Sequence, residues 1–217
     1  MSDGPEPSPT VFVVDDDPGV LESVRWLLES VDLGVRAFDN PQDFLAAFDP
    51  MDGPACLLLD IRMPGMSGLD LQDWLNTEGY EVPVIFLTAH GDVPLAVRAM
   101  KAGALEFIEK PYNAQQLIET VQHAIDTDRR KRQQGARRYQ VRSRVDKLTP
   151  RERQVARMVV DGFSNKGIAS ELGLSPKTVE VHRGRVMTKM DAGSTAELVQ
   201  MVYEAGTEVL HQDPDGH

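Results

Sequence analysis

Five side chains carry the chemistry that is legible in the chain: Asp15, Asp16, Asp60, Thr88 and Lys110. Three short apolar runs, Val11–Val14, Leu57–Leu59 and Val84–Leu87, end in Asp15-Asp16, in Asp60 and in Thr88 respectively. A further short segment, Glu106–Ile108, leads to Lys110-Pro111. A carboxylate attacks phosphorus only when the phosphoryl group is held in line and its charge is neutralised. Lys110 supplies a cation for that purpose and Thr88 a hydroxyl donor. Two more carboxylates can hold Mg2+, which takes few protein ligands and keeps several waters. The expected metal set is Asp15, Asp16 and Asp60 with the backbone carbonyl of Arg62, and Asp60 is the expected acceptor. Three carboxylates without a cation would repel one another strongly, which itself argues for a metal.

The elements that must bring these residues together read as an alternation of strands and helices. Strands are expected at Thr10–Val14, Gly34–Phe38, Ala55–Leu59, Val84–Leu87 and Glu106–Ile108. The helices between them open on Asp17-Pro18, on Asn40-Pro41, after the loop Arg62–Gly68, and at Asn113, each with an N-cap or turn signal. Such (βα)5 patterning predicts a parallel sheet with helices on both faces, in the flavodoxin-like order 2-1-3-4-5. Ligands of such sheets lie outside the carboxyl ends of the strands, where the five residues fall.

Charge divides the chain. Residues 1–128 hold 6 Lys+Arg against 23 Asp+Glu, and residues 129–217 hold 17 against 11, so a net of −17 precedes a net of +6. That split points to a polyanionic partner confined to the second part. Residues 129–146 carry eight Lys+Arg and few apolar residues, and read as a basic linker that extends the preceding helix by a turn or two. From Leu148 the pattern is purely helical. Thr149-Pro150-Arg151-Glu152 is a capping-box start, Gly173-Leu174-Ser175 a tight turn, and Pro176–Met190 the helix after it, a helix-turn-helix arrangement. The tail 208–217 and residues 1–9 are expected to be loose. The single cysteine, Cys56, lies in a strand and excludes an internal disulfide framework. No apolar run approaches the ~20 residues of a membrane span. The acidic, Pro-rich start is unlike a signal peptide. These features together predict a cytoplasmic protein with no membrane partner.

The set Val14-Asp15-Asp16, Asp60 with Met63-Pro64 and Gly68, Thr88-Ala89 and Lys110-Pro111 resembles the receiver domain of two-component response regulators, over residues 10–128. The resemblance implies phosphoryl transfer to Asp60 from a sensor histidine kinase, slow self-hydrolysis, and a cis Lys110-Pro111 peptide. It also implies a switch in which Thr88 moves and Phe107 turns inward. The helix after Thr88 adds an independent point. Leu95, Ala99 and Ala102 share one arc, and Val93, Val97 and Met100, with Lys101 beside them, share the opposite one. A second apolar face reads as a partner surface. In similar receivers this face forms the phosphorylation-driven homodimer. The competing enzyme reading is an Mg2+-dependent haloacid dehalogenase-like phosphohydrolase with Asp15 as nucleophile.

Residues 147–207 are the expected second domain. Glu152, Gly162, Asn165-Lys166, Ile168-Ala169, Leu172, Thr178-Val179, His182 and Lys189-Met190 make it resemble the LuxR-type helix-turn-helix, in its FixJ-like branch. Lys177, Val181, Gly184, Arg185 and Thr188 fall opposite Val179, Val186 and Met190, a basic outer face with one aliphatic able to meet base edges and thymine methyls. The expected DNA contacts are Lys177, Thr178, Val181, His182, Arg183, Arg185 and Lys189. Gly167 stands where Glu is usual, and Glu180 where many relatives carry Lys. The whole reading is a phosphorylation-switched transcriptional regulator on double-stranded promoter DNA. Activation, with RNA polymerase as a further partner, is the commoner family role.

Overall fold

The computed structural model describes residues 8–50, 53–89 and 93–211. The expectations for residues 1–7 and 212–217 lie outside them. The described chain divides into two compact units, residues 1–132 and 133–217, and the division falls inside a helix.

The first unit alternates strand and helix in the expected order. Its strands are β1 (Thr10–Val14), β2 (Gly34–Phe38), β3 (Ala55–Leu59), β4 (Val84–Thr88) and β5 (Glu106–Glu109). They pair in parallel as β2-β1-β3-β4-β5. Between and after them run α1 (Pro18–Glu29), α2 (Pro41–Ala47), α3 (Gly68–Thr77), α4 (Val93–Lys101) and α5 (Ala114–Val145). β3 and β4 are buried along their whole length, the mark of central strands covered on both faces. Alternate side chains divide the core in two. Val11, Val13, Leu58 and Ile85 pack with Val24 and Leu28 of α1 and Leu117 and Val121 of α5. Phe12, Val14, Leu57 and Phe86 pack with Phe44 of α2, Leu71 and Leu75 of α3 and Ala99 of α4. The caps behave as their residue types dictate: Asp17, Asn40 and Ser67 accept from the first turns of α1, α2 and α3, with Pro at the start of the first two.

The basic segment departs from expectation. α5 continues through it to Val145, 32 residues in all, far beyond a turn or two. Between its two buried ends the added length carries no apolar stripe, since residues 133–140 are all exposed. In the first unit, Asp128 is buried and accepts from the Ala55 amide (2.8 Å) and from Arg132 Nε (2.6 Å), while Arg132 Nη1 donates to the Pro50 carbonyl (2.6 Å). In the second unit, Val141 and Val145, one helical turn apart, enter the core.

The second unit holds α6 (Pro150–Val160), α7 (Asn165–Leu172), α8 (Pro176–Met190) and α9 (Thr195–Ala205). Its core joins Val155 and Val159 of α6, Ile168 of α7, Val179, Val186 and Met190 of α8, and Leu198 and Val202 of α9. α7 ends on Gly173 at φ +64°, a left-handed C-cap, and Ser175 caps α8 two residues later. The tail is not loose from 208. Thr207–Leu210 forms a 3-10 turn that buries Val209 and Leu210 against the same core, and Arg157 Nη2 donates to the Leu210 carbonyl (3.0 Å). The core of this unit therefore reaches past the expected limits of 147–207 on both sides, to Val141 and Leu210. Among the described residues no helix is long and apolar enough to cross a membrane.

Candidate phosphoryl site and nucleic-acid face

β1, β3 and β4 deliver Asp15, Asp60 and Thr88 to one edge of the sheet, and Lys110 follows β5. The Lys110 amide donates to the Thr88 carbonyl (2.8 Å), which ties the lysine to the end of β4. The Lys110-Pro111 bond is cis, as the resemblance implies. Lys110 Nζ then reaches both carboxylates, 2.5 Å from Asp15 Oδ2 and 3.2 Å from Asp60 Oδ1. The second oxygens are also held: Asp15 Oδ1 accepts from the Asp17 amide (3.0 Å) and Asp60 Oδ2 from the Arg62 amide (2.7 Å). Thr88 is buried, at 1% exposure. Phe107 of β5 is half-buried and packs against Phe86, ring centroids 6.4 Å apart.

One ammonium serves two buried carboxylates, and the titration behaviour follows from that. Burial raises the pKa of Asp15, more than the Lys110 and Asp17 hydrogen bonds lower it. For Lys110, burial works against the charge, but the hydrogen bond and attraction of Asp15, with Asp60 behind it, outweigh burial and raise its pKa. The pocket thus carries more negative than positive charge. That surplus, on hard oxygen donors, fits a small divalent cation such as Mg2+.

Asp15 and Asp16 stand together at the end of β1, with Asp60 at the end of the neighbouring β3. Asp15 and Asp60 meet at Lys110, whereas Asp16 is exposed, and among the described residues no group of three or more Asp, Glu, His or Cys side chains gathers at metal-ligand range. Of the two carboxylates, Asp15, the nucleophile of the hydrolase alternative, is the more enclosed, its side chain 4% exposed against 9% for Asp60. Beside the site lies an open hollow of about 600 Å3, lined by Asp16, Arg62, Met63, Ser67, Leu95 and Arg98.

Sequence reasoning gave Gly68 no structural role, and the packing supplies one. A Cβ there would stand 2.1 Å from the Asp60 carbonyl oxygen, so the first residue of α3 lies directly against the main chain of the expected acceptor. On α4, Ala99 is buried and Leu95 packs on the sheet, while Val93, Val97 and Met100 are 76%, 46% and 45% exposed and Lys101 is exposed beside them.

In the second unit the outer face of α8 exposes Lys177, Glu180, Val181, Gly184, Arg185 and Thr188. Three expected DNA contacts, Lys189, Arg183 and Thr178, make side-chain hydrogen bonds within the unit. Lys189 Nζ donates to Glu152 (2.6 Å) and to the Lys147 carbonyl (3.0 Å). It thus pairs with the buried capping-box carboxylate at the start of α6. Burial alone would raise the Glu152 pKa, yet the Lys189 and Thr149 hydrogen bonds hold it below its ordinary value. Arg183 spans Asn165 Oδ1 (2.7 Å) and Thr195 Oγ1 (3.0 Å), joining α7, α8 and α9. Thr178 shares a hydrogen bond with the capping Ser175 hydroxyl (2.8 Å), and His182 is half-buried with Nδ1 enclosed. Lys189 and Arg183, both expected as DNA contacts, thus also tie helices of this unit together. Their partners lie 37 and 18 residues away in the chain, beyond the reach of local pattern. Two arginines of α5 are similarly occupied: Arg144 binds Asp191 (2.9 Å) and the Met190 carbonyl (3.0 Å), and Arg138 reaches the Glu204 carbonyl (3.4 Å).

Comparison with known proteins agrees with this geometry. The family described as "Response regulator receiver domain" matches residues 11–122, and "Bacterial regulatory proteins, luxR family" matches residues 146–202. The transcriptional regulatory protein FixJ of Azorhizobium caulinodans is 47% identical over 93% of this chain and 95% of its own length. Nodulation protein W of Bradyrhizobium diazoefficiens is 42% identical over 94% of this chain and 89% of its own. Among solved structures, the response regulator StyR superposes with a TM-score of 0.81 at 44% identity, covering 91% of this chain and 99% of that one. A receiver whose strand ends hold paired carboxylates on one lysine, followed by a helix-turn-helix unit, thus has relatives along nearly its whole length, and the chain belongs to the FixJ-type response regulators, DNA-binding transcriptional regulators controlled by phosphorylation.

Proposed function

We propose that Asp60 is the phosphoryl acceptor and that its phosphorylation controls DNA binding through α8. The observation that supports this most is the bridge from Lys110 Nζ to Asp15 and Asp60, with Thr88 at the next strand end. An Asp60 carboxylate oxygen forms the new O–P bond as the N–P bond of a kinase phosphohistidine breaks, and the electron pair returns to the imidazole. Lys110 balances charge on the transferred group and Thr88 donates to one of its oxygens. Asp15, Asp16, Asp60 and the Arg62 carbonyl would hold Mg2+. When bound, the metal neutralises phosphoryl oxygens and supplies the charge that this carboxylate-rich pocket lacks. Slow loss of the phosphoryl group to water would reset the switch without making the protein an enzyme in the ordinary sense.

Phosphorylation then biases Thr88 and Phe107 and creates a homodimer through Val93, Val97, Met100 and Lys101. Two copies of α8 would meet half-sites about one helical turn, roughly 10 bp, apart on promoter DNA. The setting is the cytoplasm, the upstream partner a sensor histidine kinase, and the output transcription activation through contact with RNA polymerase. A titration of promoter DNA with the full chain, with and without a small acyl phosphate and Mg2+, tests the coupling. Phosphodonor should tighten binding by the parent protein and leave Asp60→Asn unchanged. Equal tightening in both would refute the assignment of Asp60.

A further inference from the structure

Resting on the reading of α8 as the helix that meets DNA, we propose that Glu180 is a base-reading residue that selects cytosine. α8 turns about 100° per residue. Val179, Val186 and Met190 are buried, and the opposite arc carries Glu180, Gly184, Lys177, Thr188, Val181 and Arg185, all exposed. Glu180 therefore lies on the strip that faces outward, one turn from Gly184 and one turn from Lys177. Its side chain makes no hydrogen bond and no ion pair among the described residues, although Lys177 and Arg183 stand three positions away on either side. Its role is thus not internal, unlike those of Arg183 and Lys189 on the same helix.

Gly184 is the second observation. A Cβ at this position would meet nothing within 4 Å, so no packing inside the protein requires glycine. Glycine in a helix interior costs about 1 kcal/mol relative to alanine. A bare backbone at the centre of the outward strip lets the helix axis come closer to the groove floor. Glutamate, with a reach shorter than that of lysine or arginine, then meets base edges and not only phosphates.

A carboxylate accepts hydrogen bonds and donates none. In the major groove guanine shows two acceptors, thymine an acceptor and a methyl group, and adenine a donor beside an acceptor. Cytosine shows only its N4 amino donor. A carboxylate among phosphates repels DNA in general, so its cost is offset only where an amino donor faces it; guanine and thymine leave the charge unpaired, adenine sets its N7 acceptor beside the donor, and cytosine alone offers the donor without an adjoining acceptor. Lys177 and Arg185, at the two ends of the strip, supply the sequence-independent attraction.

The test is selection from a pool of short duplexes with a randomised centre by the full chain, treated with acyl phosphate and Mg2+. Titration of the selected duplex with single base pairs replaced follows. The parent protein should demand cytosine at one position in each half-site, by roughly tenfold. Glu180→Gln should move that preference to adenine, which glutamine pairs through N6 and N7, and Glu180→Ala should abolish it while tightening binding to unrelated duplexes. The same base preference in parent, Glu180→Gln and Glu180→Ala overturns the proposal. Unchanged affinity in Lys177→Ala and Arg185→Ala overturns it by a distinguishable route, because the α8 reading itself then fails.

Discussion

Replacing Gly68 by alanine should damage phosphoryl transfer far more than it damages the fold. The added methyl would stand 2.1 Å from the Asp60 carbonyl oxygen and 3.0 Å from Leu59 Cγ. Neither neighbour can swing away. Leu59 is fully buried, and the Asp60 amide is bonded to the Val14 carbonyl of β1 (2.9 Å). The start of α3 or the Asp60 peptide must then shift by about 1 Å to restore ordinary contact. A displacement of about 1 Å at reacting groups costs on the order of 100-fold in rate, whereas overpacking costs about 1–3 kcal/mol of stability. The assay is the rate of labelling by a small acyl phosphate with Mg2+, measured well below the melting temperature of each variant. Gly79→Ala is the control. Its φ of +76° makes it strained, yet its Cβ meets nothing within 4 Å and it lies at the end of α3 away from Asp60. Gly68→Ala should label about 100-fold more slowly and Gly79→Ala at nearly the parental rate, at comparable loss of stability. Parental labelling by Gly68→Ala would refute the claim that α3 sets the position of the acceptor.

Val97→Asp places a charge in the exposed α4 face and should prevent phosphorylation-dependent dimers in sedimentation while Asp60 still labels. Unchanged dimers would remove α4 from the interface. Glu152→Ala loses the capping box and leaves the Lys189 ammonium without its buried partner, and should destabilise the second unit by about 3 kcal/mol in denaturant unfolding. Because the folded pKa of Glu152 is depressed, its contribution is present above the unfolded value of 4.5 and is lost as pH falls through the lower folded value. The second unit should therefore lose stability below that range in the parent and not in Glu152→Gln, as followed by hydrogen exchange. Gly184→Ala should act with opposite signs on two measurements, stabilising the second unit by about 1 kcal/mol and weakening its binding to selected DNA. Tighter binding would remove close approach as the reason for this glycine.

Where local pattern carried the information, the sequence was readable. Strand ends marked by Asp15, Asp60 and Thr88, and caps such as Asp17 and Ser175, placed the sheet edge and the turn before α8 correctly. Two kinds of feature escaped. The length of α5 was hidden because residues 133–140 are exposed all round, so no apolar period announces a helix. Its hold depends on Asp128 and Arg132 finding backbone partners at Ala55 and Pro50, contacts that periodicity cannot encode. The second kind is the cation whose exposure looks like function. Arg183 flanks the core side of α8 and Lys189 lies between its two faces, and each reaches a partner on another helix. The role of Gly68 is of the same kind, since only the approach of α3 to β3 reveals it.

The most direct test is to locate the phosphoryl group itself. Full-length protein treated with an acyl phosphate and Mg2+, trapped by borohydride reduction and mapped by mass spectrometry, should carry the modification on Asp60. Asp60→Asn should carry none, and Asp17→Asn should be labelled as the parent is. Label that persists in Asp60→Asn and vanishes in Asp15→Asn would contradict the account and restore Asp15 as the nucleophile.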